Sequence, residues 1–172
     1  MKPIETARLR LREMSAERDA SFVLEALNEP AFVRNVGDRG VRTETDAAEY
    51  IRARITAEYQ RRVFGMWLVE LRETAEAVGM CGLLKRDTLE DVDIGFTFLE
   101  RFWSKGYAFE AASAVMAFGW TVAKLPRIIA ITAPTNESSI RLLGKLGLRF
   151  SERCRVTPDA PEVNLFKIER PT

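Results

Sequence analysis

The chain has 172 residues, 47% of them hydrophobic and 30% charged, with a net charge of +1. That profile fits a single globular domain over 1–172 with enough apolar residues for a core, and it lacks the basic excess of a dedicated nucleic-acid binder. No histidine is present, which excludes a Ser-His-Asp triad or any histidine base and leaves catalysis to carboxylates, hydroxyls, thiols, lysines, water or backbone.

No apolar run approaches the roughly 18 residues of a membrane span, and "MKPIETARLRL" has no signal-peptide core. Cys81 and Cys154 lie far apart and form no metal or redox motif. Reduced thiols, a cytoplasmic location, no metal and no membrane partner are the expectation. In "ARLRLREM", Leu9 and Leu11 alternate with arginines, as in a half-exposed first strand. "SAERDASFVLEALNEP" predicts a helix that opens on Ser15 and stops before Pro30. "TETDAAEYIRARITAEY" predicts a second, opening on Thr43 with Asp46 three residues on. Ala47, Ile51, Ile55 and Tyr59 fall at helical spacing there, and the basic run over 52–62 reads as the wet face.

Three strand-like runs follow, Phe64–Arg72, Ala77–Lys85 and Val92–Leu99, punctuated by "ETAE" and "RDTLED" as an antiparallel meander. A long helix starts after Gly106, with Ala108, Ala111, Val115, Phe118 and Val122 along one stripe. "RIIAITA", 127–133, is apolar and β-branched, as in a buried central strand. "NESSIRLLGKLG", 136–147, is a short helix with a glycine C-cap, and two strands, Arg149–Arg155 and Glu162–Glu169, complete the chain. The order is β-α-α-β-β-β-α-β-α-β-β, a mixed α/β sheet. The 92–99 strand, the helix and the 127–133 strand form a right-handed β-α-β crossover.

The stretch "RFWSKGYAFEAA", 101–112, starts its helix on glycine and alanine, with only Ser104 as a usual capping residue. A loop between a strand and a helix N-terminus gathers N–H groups and the positive end of the helix dipole, a setting that holds phosphate. Gly106 keeps a Cβ out of the anion's way, Ala108 keeps the next turn thin and Lys105 adds a point charge. A tight turn needing a special φ/ψ at Gly106 reads equally well from this stretch alone. Both GxGxxG and the Walker loop are absent. Thirty residues on, Asn136, Ser139 and Leu143 fall at i, i+3 and i+7 and share a helix face. Alone, Asn136 fits an ordinary N-cap and Ser139 a solvated serine. As an ordered set with the loop and the strand, they point two polar side chains at what the loop holds. Glu110, in the first turn after Gly106, reads as an acid favoured by the dipole.

These pieces resemble the GCN5-related N-acetyltransferase (GNAT) superfamily, and within it the ribosomal-protein N-terminal acetyltransferase (RimJ/RimL-type) branch. The resemblance covers nearly the whole chain. It is carried by "TARLRLRE" at 6–13, "DIGFTFLERFWSKGYAFEA" at 93–111 and "NESSIRLLGKLGLRF" at 136–150. It implies an α/β GNAT (acyl-CoA N-acyltransferase) fold: a mixed, mostly antiparallel central sheet with flanking helices and splayed central strands. Trp103-Ser104-Lys105-Gly106-Tyr107-Ala108 matches the family loop pattern except at the first position, where the family has Arg or Gln and this branch often has Trp. The resemblance assigns cofactor binding to Phe98, Leu99, Trp103, Ser104, Lys105, Gly106, Tyr107, Ala108 and Asn136. A backbone N–H near Phe96–Phe98 would polarise the thioester carbonyl. Many members carry a thiolate-protonating Tyr seven residues after the Asn. That position is Leu143 here, and the branch's Ser three residues after the Asn is Ser139, which would hydrogen-bond the coenzyme A sulfur.

The implied activity is acetyl transfer from acetyl-CoA, as cosubstrate, to a primary amine: a peptide N-terminus or a small amine. A carboxylate acting through water is the expected base, with Asp93, before "IGF", first and Glu70 second. For both, a solvated strand residue reads equally well. Acceptor identity is assigned to segments 28–45 and 155–162. The rival reading is a GNAT-fold module that binds a coenzyme A thioester without turnover. The sequence leaves the oligomeric state open.

Overall fold

The computed structural model describes residues 2–171. The chain opens on β1 (Ile4–Glu5) and β2 (Leu9–Arg12), an antiparallel pair. Leu9 and Leu11 are fully buried on one face of β2 because side chains two apart share a face of a strand. Helices α1 (Ala16–Asn28) and α2 (Pro30–Val36) follow. Pro30, expected to stop a helix, does end the first, but it also begins the second. At the first helical position a proline loses no hydrogen bond and its fixed φ is already helical.

The predicted 43–59 helix comprises α3 (Glu44–Tyr50), a π-helical stretch over Ile51–Thr56 and α4 (Ala57–Arg61). Thr43 caps α3 with the reciprocal capping box to Asp46. The wide turns have a cause in the sequence. Ala47, Ile51, Ile55 and Tyr59 repeat every four residues, more than the 3.6 of an α-helix, and the π stretch lets Ile51 and Ile55 both stay buried.

The meander is β3 (Met66–Leu71), β4 (Ala77–Leu84) and β5 (Val92–Phe98), all antiparallel. A 3-10 turn over Glu100–Phe102 leads to α5 (Tyr107–Thr121), then β6 (Arg127–Thr132), α6 (Glu137–Lys145), β7 (Arg149–Arg155) and β8 (Glu162–Glu169). Gly147, at φ +89°, ends α6, and the Leu148 N–H returns to the Leu143 carbonyl at 3.0 Å. The strands form one sheet in the order β1-β2-β3-β4-β5-β6-β8-β7. Helix α5 packs on one face, with Phe118 edge-on to Trp67 at 5.2 Å between ring centres. Helix α1 lies on the other, where Arg12 pairs with Asp19 at 2.9 Å.

The one parallel contact is β5 with β6, and it is short. Only Val92↔Ile128 and Asp93↔Ile129 pair, although β5 runs on to Phe98 and β6 to Thr132. Beyond Asp93 the two central strands splay, and the opening lies between the N-termini of α5 and α6.

Candidate active site

The splay leaves backbone donors without a strand to bond. The Leu99 N–H donates to the Val78 carbonyl of the residue before Gly79, at 3.1 Å. Successive residues of an antiparallel strand direct their N–H groups to opposite sides, so Gly95 and Thr97 face β4 while Phe96 and Phe98 face the gap. The Phe98 carbonyl, on that same side, accepts a hydrogen bond from the Trp103 indole N–H at 2.7 Å. That bond ties the loop to the end of β5. Leu99 departs from expectation: it is 1% exposed, its N–H is taken by Val78, its carbonyl accepts from Phe102 at 2.9 Å, and it does not line the cavity.

The loop after the 3-10 turn has two left-handed residues, Ser104 at φ +61° and Gly106 at φ +81°. Gly106 is the N-cap of α5, and no side chain caps that helix. Its first-turn N–H groups are therefore open donors at the positive end of the dipole. Of the two roles the sequence leaves open for Gly106, room for an anion and a special φ/ψ, the geometry fits the second: its φ is +81°, and a Cβ there would lie 3.3 Å from Arg8 Nη2, which is outside the cavity lining. Glycine is required for the left-handed turn and for the close approach of Arg8. Lys105 does not line the cavity either, and its ammonium sits over the Phe102 ring, 5.2 Å from the centre.

A cavity of about 850 Å³ fills the gap. Phe32 and Val36 of α2 line one side, Phe96 and Phe98 the floor, and Trp103, Ser104, Gly106, Tyr107 and Ala108 the loop side. Asn136 and Ser139 line it from the start of α6. Asn136 does the capping work that the sequence allowed: its Oδ1 accepts from the Ser139 N–H at 3.2 Å and the Ser138 hydroxyl at 3.0 Å. Among the described residues the Ser139 hydroxyl has no hydrogen-bond partner, and the side chain is half-buried at the cavity wall. Leu143 is 1% exposed and packed in the core.

The carboxylates fall differently from expectation. Asp93 is 2% exposed and outside the cavity lining, and its Oδ2 accepts from Arg86 Nε at 2.8 Å. Burial pushes its carboxyl up to about 6, against the opposing pull of Arg86. Glu70 is buried beneath two arginines, with Arg12 Nε at 2.8 Å and Arg10 at 3.9 Å. Neither carboxylate meets the cavity. The only one that does, among the described residues, is Glu29, at the junction of α1 and α2. It accepts from the Glu100 N–H at 3.1 and 3.2 Å, has no cation in bonding distance among the described residues, and is pushed up by burial and by nearby Glu100 and Glu25. The sequence placed Glu29 inside the 28–45 segment but gave no sign of its role. Of the two acceptor segments, 28–45 reaches the cavity and 155–162 does not. The latter lies at the same end of the sheet, beyond the Thr132↔Asn164 pair. Two cations of α6 also line the cavity, Lys145 and Arg141, the latter paired with Glu137 at 3.2 Å.

Among the described residues no cluster of His, Cys, Asp and Glu is placed to hold a metal, and no helix is long and apolar enough to cross a membrane. The arrangement is a cleft with free amides along one strand, an open helix N-terminus, and an unpartnered hydroxyl opposite.

Known proteins show the same build. The acetyltransferase (GNAT) domain matches residues 8–149. The uncharacterized N-acetyltransferase YnaD of Bacillus subtilis (strain 168) is 30% identical over 154 residues, 88% of this chain and 86% of that protein. A GNAT-family acetyltransferase structure from Bacillus anthracis superposes with a TM-score of 0.81 at 26% identity, over 98% of this chain and 99% of that one. RimL, a ribosomal L7/L12 α-N-protein acetyltransferase solved with coenzyme A, shares the fold, with a TM-score of 0.73 at 14% identity over 98% of both chains. With a domain match over most of its length and a relative of this similarity, the chain belongs to the GNAT family of acetyltransferases.

Proposed function

We propose that this acetyltransferase acts on an acceptor presenting one amine, with a peptide or protein N-terminus as the substrate class. The observation that carries this reading is the charge of the cavity wall. Glu29 is its one carboxylate among the described residues, while Lys145 and Arg141, the latter paired with Glu137 at 3.2 Å, also line it. A small polycation would bring several ammonium groups to a wall with a single place for one. A peptide N-terminus brings one, followed by a chain that apolar side chains can contact. The α-N-protein acetyltransferase activity named for RimL supports the same class.

Acetyl-CoA supplies the activated thioester. The open N–H groups at the start of α5 fit its pyrophosphate, because they are donors without a side-chain cap. Lys145 and Arg141 line the same cavity and favour an anion in it. The N–H groups of Phe96 and Phe98 run along the gap, fit to hold the extended arm and polarise a carbonyl placed beside them. The Ser139 hydroxyl is free to donate a hydrogen bond to a sulfur as it gains negative charge. The amine, bound as an ammonium, must lose its surplus proton to solvent before its lone pair can form the C–N bond. The C–S bond breaks with its electron pair on sulfur, and overall an amine and a thioester give an amide and a thiol, balanced in protons. Glu29 receives the amine on arrival. Asp93, walled from the cavity, holds the closed end of the gap.

Thiol release measured with short peptides, polyamines and aminoglycosides tests the acceptor class. Peptides are expected to turn over with saturation and Glu29→Gln to raise their KM. Robust turnover of a polycation with none of any peptide overturns the acceptor and leaves the acetyltransferase in place.

A further inference from the structure

Arg8 lies 97 residues before Lys105 of the loop it touches, inside the "TARLRLRE" stretch but with no role assigned to it there. Its guanidinium bridges two parts of the loop region. Nε donates to Glu110 Oε2 at 2.7 Å, and Nη1 donates to the Lys105 carbonyl at 2.9 Å. Its cationic plane also lies over the Tyr107 ring, 4.7 Å from the centre. Glu110 is held from the same short segment by two further bonds: the Thr6 hydroxyl donates to Oε1 at 2.6 Å, and the Arg8 N–H to the same oxygen at 2.8 Å. The segment from Thr6 to Arg8, just before β2, thus clamps the first turn of α5 and the residue before its cap.

The Lys105 bond matters most. A trans peptide unit points its carbonyl and the following N–H in opposite directions. Turning the Lys105 carbonyl outward to Arg8 turns the Gly106 N–H the other way, and Gly106 lines the cavity while Lys105 and Arg8 do not. A carbonyl free to rotate inward would set a negative dipole where the pyrophosphate belongs. Arg8 Nη2 also lies 3.3 Å from where a Cβ on residue 106 would stand, so brace and glycine fit closely against one another.

We propose that Arg8, anchored by Glu110 and Thr6, is a positioning residue that holds the Lys105–Gly106 peptide with its N–H facing the cofactor's pyrophosphate. The inference rests on the reading of this cavity as the acetyl-CoA site. Arg8 makes no contact with the reacting atoms and acts on donor binding. An ammonium cannot bridge Glu110 and the Lys105 carbonyl with a fixed fork, so lysine is not a substitute.

Two donors separate this role from general damage: acetyl-CoA, and S-acetylpantetheine, which lacks the phosphates. For Arg8→Ala the KM for acetyl-CoA is expected to rise about tenfold with kcat within about twofold, equivalent to one factor of ten in binding. The S-acetylpantetheine KM is expected to stay unchanged, Arg8→Lys to behave as Arg8→Ala, and Glu110→Gln to follow in the same direction. Equal loss with both donors, loss in kcat alone, or no loss overturns the proposal. A second readout needs no cofactor: trypsin cleavage after Lys105, followed by mass spectrometry, is expected to be faster in Arg8→Ala and Glu110→Gln relative to cleavage at the other lysines and arginines of the same variant. Unchanged cleavage also counts against the brace. Calorimetry of the wild-type chain with coenzyme A checks the site itself. Absence of binding there, with faster cleavage in the variants, overturns the cofactor reading and leaves the brace standing.

Discussion

Helices α5 and α6 both begin at the rim of one cavity, and they begin in opposite ways. The N-terminus of α6 satisfies itself: Asn136 accepts from the Ser139 N–H, and the hydroxyl of Ser138 adds a second bond. The N-terminus of α5 has no side-chain cap, and the chain around it is arranged to keep it so, with a left-handed Gly106 and a carbonyl turned outward to Arg8. On the proposed function, the difference separates a structural terminus from a binding one. A terminus closed by its own residues contributes to stability. One left open costs stability, and the open donors are then available to a ligand.

The largest expected effect comes from closing the open terminus. Gly106→Val forces a β-branched residue into φ +81° and sets a Cβ against Arg8, so coenzyme A affinity is expected to fall about 300-fold in calorimetry. Affinity within threefold of wild type would mean that α5 is not the binding terminus.

A second contrast sets two carboxylates near these helices against each other. Burial would raise Glu110, but hydrogen bonds from Thr6 and Arg8 outweigh it and hold it below its usual range. Its contribution is present above 4.5 and lost as pH falls below that value. At Asp93 burial prevails, and the carboxyl is pushed up to about 6. A carboxyl raised in the folded state favours folding more as it takes up its proton, so its contribution grows as pH falls from about 6 to 3.8. Asp93→Asn is expected to be the more stable protein at neutral pH, by about 3 kcal/mol at most, with the gap closing toward acid. Melting temperatures of both proteins across that range decide it, and a gap that does not change with pH removes the assignment.

Smaller effects are expected at α6. Ser139→Ala should lower kcat roughly tenfold while the acetyl-CoA KM stays within about twofold, since the hydroxyl matters as charge gathers on sulfur. Full turnover in that variant would leave α6 with no chemical part. Asn136→Ala should cost about 1 kcal/mol of stability, the usual value of a lost N-cap, and be read as a fall of a few degrees in melting temperature. A loss of coenzyme A affinity as large as that of Gly106→Val would erase the distinction between the two termini.

Much of this is legible in the sequence because it is local. The meander, the long apolar helix and the two last strands follow from periodicity, and the 103–108 loop is contiguous. Pro30 reads as a stop because its restriction acts on the residue before it, while its fitness to begin a helix shows only once α2 is seen. The four-residue repeat over 47–59 is visible, but its conversion into a π stretch needs the core that Ile51 and Ile55 share. The site divides along the same line. Asn136 and Ser139 lie three residues apart on one helix face and meet the cavity together. Glu110 looks like an acid serving the dipole because its partners, Thr6 and Arg8, lie more than 100 residues away. Asp93 looks available because a strand pattern does not say which polar residue is sealed under an arginine.

The two-residue ladder between β5 and β6 has a consequence for how the protein unfolds. Residues 4–98 supply five strands and residues 127–169 the other three, each set continuous in the chain and hydrogen-bonded within itself. Across the seam the ladder is only Val92↔Ile128 and Asp93↔Ile129, with the Arg127–Asp91 ion pair at 3.1 Å beside it. Such a sheet is built as two cooperative units with a weak joint, and amides of β6, β7 and β8 should exchange with solvent in a subglobal opening that spares β3 and β4. A cofactor lying in the gap touches both units, so its binding free energy is added to the joint itself. Saturation should merge the two exchange classes into one, and the protein would be most nearly a single cooperative unit when it is ready to react.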